Sequence, residues 1–194
     1  MTQATDRNRG GLPKWAKISA ASLALLAASS LVISTKPILI NDSPSLPEGL
    51  WYLVPGATVT PGKVIAFSPP ETALPYVRRH LKRYLTQPLL KPVAAGAGAR
   101  VCGSVEDGFS VDGKRLGVSQ AHDSKGNAVT PWTGCHTLTA NEFAVFSSRI
   151  PNSYDSRYYG PVSAENISGV YRPLWLWGDP NPLQRKAKIS VYAS

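Results

Sequence analysis

Apolar residues recur along this chain in short runs broken by Pro and Gly, and one internal stretch shows helical spacing. Residues 18–35 are uncharged, rich in Ala, Ser and Leu, and closed by Lys36. Ile38-Leu39-Ile40 leads into a turn punctuated by Pro and Gly, after which Trp51-Tyr52 resumes as an aromatic strand. Val54, Val59 and the run Val64-Ile65-Ala66-Phe67 read as short strands, divided by turns at Pro55-Gly56 and Pro61-Gly62. Apolar or aromatic residues at 77, 81, 84 and 85 then predict a helical excursion over about 72–87, lying on the surface between two β-regions. From Lys91 the pattern is β again. Val93, residues 100–102, Val105 and a hairpin over 109–116 with its turn at Asp112-Gly113 come first. A polar loop over 119–134 and strands over 142–146 and 165–175 complete the chain, with no internal repeat. The expected fold is mainly β and antiparallel, in one domain over 36–194 with a short helical insertion.

Composition supports this outline. A chain of 194 residues, 43 % hydrophobic, is long enough for one substantial core. Its 17 Pro and 16 Gly suit loop-rich β-structure better than a helical bundle. The formal net charge of +9 invites a nucleic-acid reading, but no binding-module pattern is present and the basic residues are spread, so no nucleic-acid partner is expected. The N-terminus is more telling. Arg7, Arg9, Lys14 and Lys17 face only Asp6 in residues 1–17, and the uncharged stretch behind them just reaches the length of a membrane span. Residues 18–35 therefore read as a transmembrane or signal helix. By the positive-inside rule the basic leader is expected in the cytoplasm and everything after Lys36 outside. In that oxidising compartment Cys102 and Cys135, which form no Cys-x-x-Cys pair, are expected to bond and pin the 119–134 loop to the strand after Lys91.

The catalytic sets open to this chain are few. A Ser-His-Asp triad needs histidine, and His80, His122 and His136 stand in no triad context. Metalloprotease, aspartic-protease and nucleotide-loop patterns are absent, so no metal and no cofactor is expected. A serine activated by a lysine remains. Such a lysine must be neutral, held among apolar groups and within about 3 Å of the serine oxygen. Lys91 in Leu89-Leu90-Lys91-Pro92-Val93 is the candidate, although the same residue also reads as a lysine ending a helix or snorkelling from a strand. Ser43-Pro44-Ser45-Leu46-Pro47 reads either as a Ser/Pro linker or as a rigid loop presenting a hydroxyl. The Ser43 hydroxyl and the Ser45 N–H are candidate donors to an oxyanion. Asp155 and Arg157 would point the same way along an extended segment and form a charged clasp.

Asn41-Asp42-Ser43-Pro44-Ser45-Leu46-Pro47-Glu48-Gly49-Leu50, the Leu89-Leu90-Lys91-Pro92-Val93-Ala94-Ala95 run and Asp155-Ser156-Arg157-Tyr158-Tyr159-Gly160 resemble the signal peptidase I clan of Ser-Lys serine peptidases. They resemble most its conjugative-transfer branch, the TraF-type peptidases that mature pilin subunits. The resemblance spans about residues 38–175. It implies a barrel-like signal-peptidase fold with Ser45 as nucleophile, Ser43 as oxyanion donor and Lys91 as general base. It further implies Ser153 as the residue orienting the lysine amine, and Asp155 and Arg157 as the pair bracing the loop behind it. The implied setting is the inner membrane with the catalytic domain in the periplasm, where the partners are a pilin precursor and the conjugative type IV secretion machinery. In some relatives the acyl group passes to an amine of the substrate and closes a ring. This chain departs from the clan in three places. Ser45-Leu46-Pro47 is one residue shorter than the usual Ser-Met-x-Pro. Ser147-Ser148-Arg149-Ile150 replaces Gly-Asp-Asn-Arg, and Gly96-Ala97-Gly98-Ala99-Arg100 stands for Leu-Pro-Gly-Asp-Arg. The alternatives are a general signal peptidase and a non-catalytic secretion-complex component. A self-cleaving repressor-type regulator is disfavoured by the apolar N-terminus and the missing DNA-binding helix pair.

Overall fold

The computed structural model describes residues 36–177, together with Ile18, Ser19 and Ser22, of which the last three are helical. Those three positions apart, the expected leader (1–17) and the anchor or signal segment (18–35) lie outside the described residues. Among the described residues no helix is long and apolar enough to cross a membrane. The chain divides into two compact units, Met1–Pro37 and Ile38–Ser194. The second carries the elements below.

Among the described residues, eleven strands form two antiparallel sheets. The larger contains β1 (Ile38–Asn41), β2 (Gly49–Leu53), β3 (Val64–Phe67), β4 (Leu89–Ala95), β9 (Glu142–Val145), β10 (Val162–Ser163) and β11 (Ile167–Leu176), and curls into a half-barrel in the order β1-β2-β11-β3-β4-β9-β10. The smaller has β7 (Lys114–Gly117), β6 (Gly108–Val111), β5 (Arg100–Ser104) and β8 (Gly134–Thr137), in that order. All four residues of β3 are buried, which is why Val64-Ile65-Ala66-Phe67 is apolar without alternation. Ile65 and Phe67 join one core with Leu89, Val93 and Val145, while Val64 and Ala66 join another with Leu46, Trp51 and Leu90. A third core, around Val101, Phe109, Leu138 and Ala144, joins residues of both sheets.

The hairpin turns where the sequence placed it. Asp112 (φ 48°) and Gly113 (φ 77°) both adopt the left-handed conformation that a two-residue primed turn requires. Cys102 and Cys135 lie directly opposite one another on β5 and β8 and are disulfide-bonded across 33 positions of sequence.

Other expectations need correcting. Val54 and Val59 are not in strands, because two Pro-Gly turns leave too few residues between them to form a ladder. Single bonds tie that segment down, Val54 N–H to Val170 O (2.9 Å) and Gly62 N–H to Val93 O (2.8 Å). Val105 is exposed in the turn between β5 and β6. The excursion is no simple surface helix: Glu71–Ala73 is 3-10, Leu74–His80 is α-helical, and Lys82–Leu85 is 3-10 again. The break at Leu81 (φ −128°, ψ 40°) shifts the register, so Val77 is buried and Leu85 exposed. Val77, Leu81 and Tyr84 pack on the core containing Leu89 and Val93.

Non-reducing mass spectrometry of the oxidised protein is expected to find Cys102 linked to Cys135. Replacing both by Ser should lower unfolding stability by about 2–4 kcal/mol, the closure of a loop of this length. An unchanged denaturation midpoint would contradict a structural role for the bond.

Candidate active site

Alternation along β4 decides where Lys91 goes. Leu89, Lys91 and Val93 share one face, and Lys91 stands opposite Ile65 of β3. That face belongs to the core roofed by Val77, Leu81 and Tyr84, so the lysine occupies a position built for an apolar side chain and is only 4 % exposed. Burial pushes its pKa down from 10.5 to about 8. The positive charges of Arg157 and Arg83 act in the same direction, and Asp155 acts against them.

The serine loop follows β1. Asn41, the last residue of that strand, is buried and its side chain organises the loop. Its amide donates to the carbonyls of Ser43 (3.0 Å), Leu46 (3.3 Å) and Pro47 (3.1 Å), and its oxygen accepts from Ser43 N–H (3.3 Å). The indole of Trp51 donates to Pro47 O as well (3.3 Å), and Leu46 anchors the loop in the core beside Trp51. At the loop's end Gly49 is forced by space: a Cβ there would lie 2.1 Å from Trp175 O. These constraints bring Ser45 Oγ to 2.5 Å from Lys91 Nζ and 3.0 Å from Ser43 Oγ. As an ammonium Lys91 donates to Ser45; as a neutral amine it can accept the serine's proton along the same line.

Behind these groups Asp155 and Arg157 form a buried bidentate pair, Nε to Oδ1 at 2.8 Å and Nη2 to Oδ2 at 2.9 Å. The segment is not extended, as the sequence suggested. Asp155 caps the short helix Ser156–Tyr159 and accepts from Arg157 N–H, so the two side chains meet across a helical turn. Arg157 also donates to the carbonyls of Val118, Ser147, Pro151 and Ser153, and its guanidinium lies 4.7 Å from the Phe146 ring centre. Ser153 is buried, but the hydrogen bond expected from it to the lysine is not made. The amine is engaged with Ser45, the Ser153 carbonyl is held by Arg157, and the Ser153 hydroxyl has no partner among the described residues.

Two residues acquire a role that sequence reasoning missed. Asn41 carried a signal, since Asn before a Ser-Pro turn is a side-chain-to-backbone turn former. Ser147 stands out in the sequence only as the first residue of a departure from the clan's pattern, with no role attached. Its N–H donates to Asp155 Oδ2 (3.1 Å), its carbonyl accepts from Arg157, and its hydroxyl donates to the carbonyl of Ser45. The serine that stands in place of glycine thus ties the loop of Ser45 to the buried ion pair.

A cleft of about 610 Å³ opens over Ser43, Ser45, Lys91 and Ser153. Tyr76, Arg83 and Tyr84 of the excursion line one side, and His122, Asp123 and Lys125 of the 119–134 loop another. Tyr76, Tyr154 and Tyr158 stack in succession, at 4.8 and 5.6 Å between ring centres.

Comparison with known proteins gives the following matches. The family profile "Signal peptidase, peptidase S26" matches residues 12–176. The chain is similar to the "Conjugal transfer protein TraF" of Agrobacterium fabrum, at 30 % identity over 82 % of this chain and 98 % of the relative. It is also similar to the "Plasmid transfer protein TraF" of Escherichia coli, at 27 % identity over 82 % and 93 %. Among solved structures, a signal peptidase I from Enterococcus faecalis V583 aligns with a TM-score of 0.34 and 21 % identity, covering 59 % of this chain and 97 % of that one.

Replacing Ser147 by Ala leaves the buried carbonyl of Ser45 without its side-chain donor, at a cost of about 1–3 kcal/mol. The expected outcome is a fall in kcat of about 10–100-fold with KM changed little, since the residue positions the hydroxyl and does not touch substrate. A variant with full kcat would remove Ser147 from the site.

Proposed function

We propose that this chain, which belongs to the signal peptidase family, peptidase S26, is a serine endopeptidase that uses Ser45 and Lys91 to mature a pilin precursor in conjugation. The observation that carries the reading is the 2.5 Å approach of Lys91 Nζ to Ser45 Oγ at a core position. In this mechanism the Lys91 amine takes the hydroxyl proton as Ser45 Oγ attacks the scissile carbonyl carbon. The Ser43 hydroxyl, 3.0 Å from the nucleophile, and the Ser45 N–H receive the negative charge on the carbonyl oxygen. Collapse breaks the C–N bond, Lys91 returns its proton to the leaving nitrogen, and an ester remains on Ser45. Water activated by the same amine then hydrolyses the ester; an amine of the same substrate in its place closes a ring. The Ser153 hydroxyl, buried on the lining of the same cleft and unpartnered, is the group that would orient the lysine once its proton moves. Asp155 and Arg157 fix the wall behind it.

The proposed setting is the periplasmic face of the inner membrane, alongside the type IV secretion machinery. Ile40, Leu50 and Trp175 lie in one row across β1, β2 and β11, and Ile38, Ile40, Leu174, Trp175 and Trp177 are exposed. An apolar surface of this kind supports a domain working against lipid. The naming of the relatives after conjugal and plasmid transfer supports a dedicated substrate over the general secretory pool.

Two measurements test the reading. Intact-mass analysis of a pilin precursor incubated with the enzyme should show loss of a peptide, with a water's mass retained for hydrolysis and absent for ring closure. Ser45→Ala and Lys91→Ala should each abolish the loss, and maturation by either variant ends the peptidase proposal. Separately, kcat/KM should rise about tenfold between about pH 7 and pH 9, because the amine titrates at about 8 and only its neutral form accepts the proton. A flat profile would dismiss Lys91 as the base.

A further inference from the structure

We propose that the cleft over Ser45 takes a substrate segment bearing a carboxylate, seated on Arg83 where the helical excursion faces the 119–134 loop. The proposal rests on the peptidase reading for its scissile bond, but the carboxylate subsite stands on separate residues. Lys82 and Arg83 line the cleft from the excursion, and Lys125 lines it from the loop. Asp123 is the single acidic side chain among the lining residues. It accepts from Tyr76 OH (2.6 Å), Lys125 N–H (2.8 Å), and both the N–H (2.9 Å) and side-chain amide (2.8 Å) of Asn127. Four donors fill that carboxylate's acceptor positions and hold it in the loop; its charge remains, but its oxygens are already engaged and it makes no direct ion pair with Arg83 or Lys82.

Arg83 already binds a carboxylate. Its Nη1 donates to Asp42 Oδ2 at 2.6 Å, while Nη2 donates to Tyr84 OH at 2.7 Å and the guanidinium sits 4.7 Å from the Tyr84 ring centre. Tyr84 thereby fixes the fork at a cleft wall, and Asp42 immediately precedes Ser43 in sequence. An acid placed on Arg83 therefore lies beside the loop that carries the reacting hydroxyls. The two side chains are 42 % and 66 % exposed, and such surface pairs are weak and exchange readily. A substrate carboxylate can join or displace Asp42 at little cost. The shared chemistry is an anionic carboxylate, from an Asp or Glu side chain or from a free chain end.

The test uses the full chain in a non-ionic detergent and matched fluorescent peptides that differ only as Glu against Gln, or as free acid against C-terminal amide. Binding is read by anisotropy on Ser45→Ala and turnover on the unmodified enzyme. At one position, or at the chain end, the acid should bind about tenfold more tightly than its neutral isostere, and the advantage should shrink as salt rises. The position identifies the source of the carboxylate. Arg83→Gln should bring the acid-to-neutral ratio close to one, and Lys125→Gln should reduce it. An acid-to-neutral ratio near one in the unmodified cleft, or a preference untouched by Arg83→Gln, overturns the proposal. Acid-selective binding without cleavage by the unmodified enzyme keeps the subsite and defeats the peptidase reading; cleavage blind to the acid does the reverse.

Discussion

Strand β4 puts a lysine where its own alternation calls for an apolar side chain, and much of the surrounding structure serves to keep that amine dry. Leu89 and Val93 flank it on the same face, Ile65 lies across the ladder, and the excursion is folded over the cluster they form. Remove the roof and the lysine becomes an ordinary solvated ammonium, unable to accept a proton near neutral pH. The helical insertion is thus tied to the proposed chemistry by packing, although none of its residues need touch the reacting atoms. The same element forms a wall of the cleft, so one segment sets both the basicity of the amine and the shape of the space above it.

The second constraint is the buried pair of Asp155 and Arg157. A buried ion pair is weak grounds for stability, because the attraction is offset by the desolvation of both partners. Here its value lies in geometry. The guanidinium reaches carbonyls at 118, 147, 151 and 153, so one side chain gathers segments that no sheet ladder connects. Ser147 extends that grip to the carbonyl of Ser45. The hydroxyl presented to Lys91 is therefore held from both sides. Asn41 fixes the loop from within, and the Arg157 hub fixes it from behind.

The antiparallel architecture was legible because Pro-Gly and Asp-Gly turns carry their own backbone requirements and cut the chain into strand-sized pieces. Local chemistry of this kind reads directly, as the Asp112-Gly113 turn does. Val54, Val59 and Val105 misled because strand propensity says nothing about whether a partner strand is in reach. The lysine and the serine loop were legible as a pair only by excluding other chemistries and by their likeness to a family. Nothing local marks residue 91 as buried. The Asp155–Arg157 contact was foreseen with the wrong backbone: an extended segment puts residues two apart on one side, whereas here Asp155 as N-cap folds its carboxylate back over the first turn onto Arg157. Ser147 was out of reach: its function depends on a partner 102 positions away, and no periodicity encodes that.

Keeping the amine neutral has a thermodynamic consequence of definite sign. Lys91 titrates lower in the folded chain, at about 8, than in the unfolded one, so between those two values the unfolded chain binds more protons. The group's contribution to stability therefore improves as pH rises from about 8 toward 10.5, and below that interval the fold carries the full cost of charging a buried lysine, about 3 kcal/mol. Asp155 relieves part of that cost, and two nearby arginines add to it. Arg157 cannot be dispensed with, because it holds the wall, and Arg83 sits at the mouth of the cleft. Burial is what chiefly lowers the basicity of the amine, with the arginines adding to it against Asp155, and the same positive charge presents cations to whatever enters. A domain selected for stability alone would place neither a lysine at position 91 nor arginines around it. Their presence together is a compromise that the proposed chemistry at Ser45 explains and packing does not.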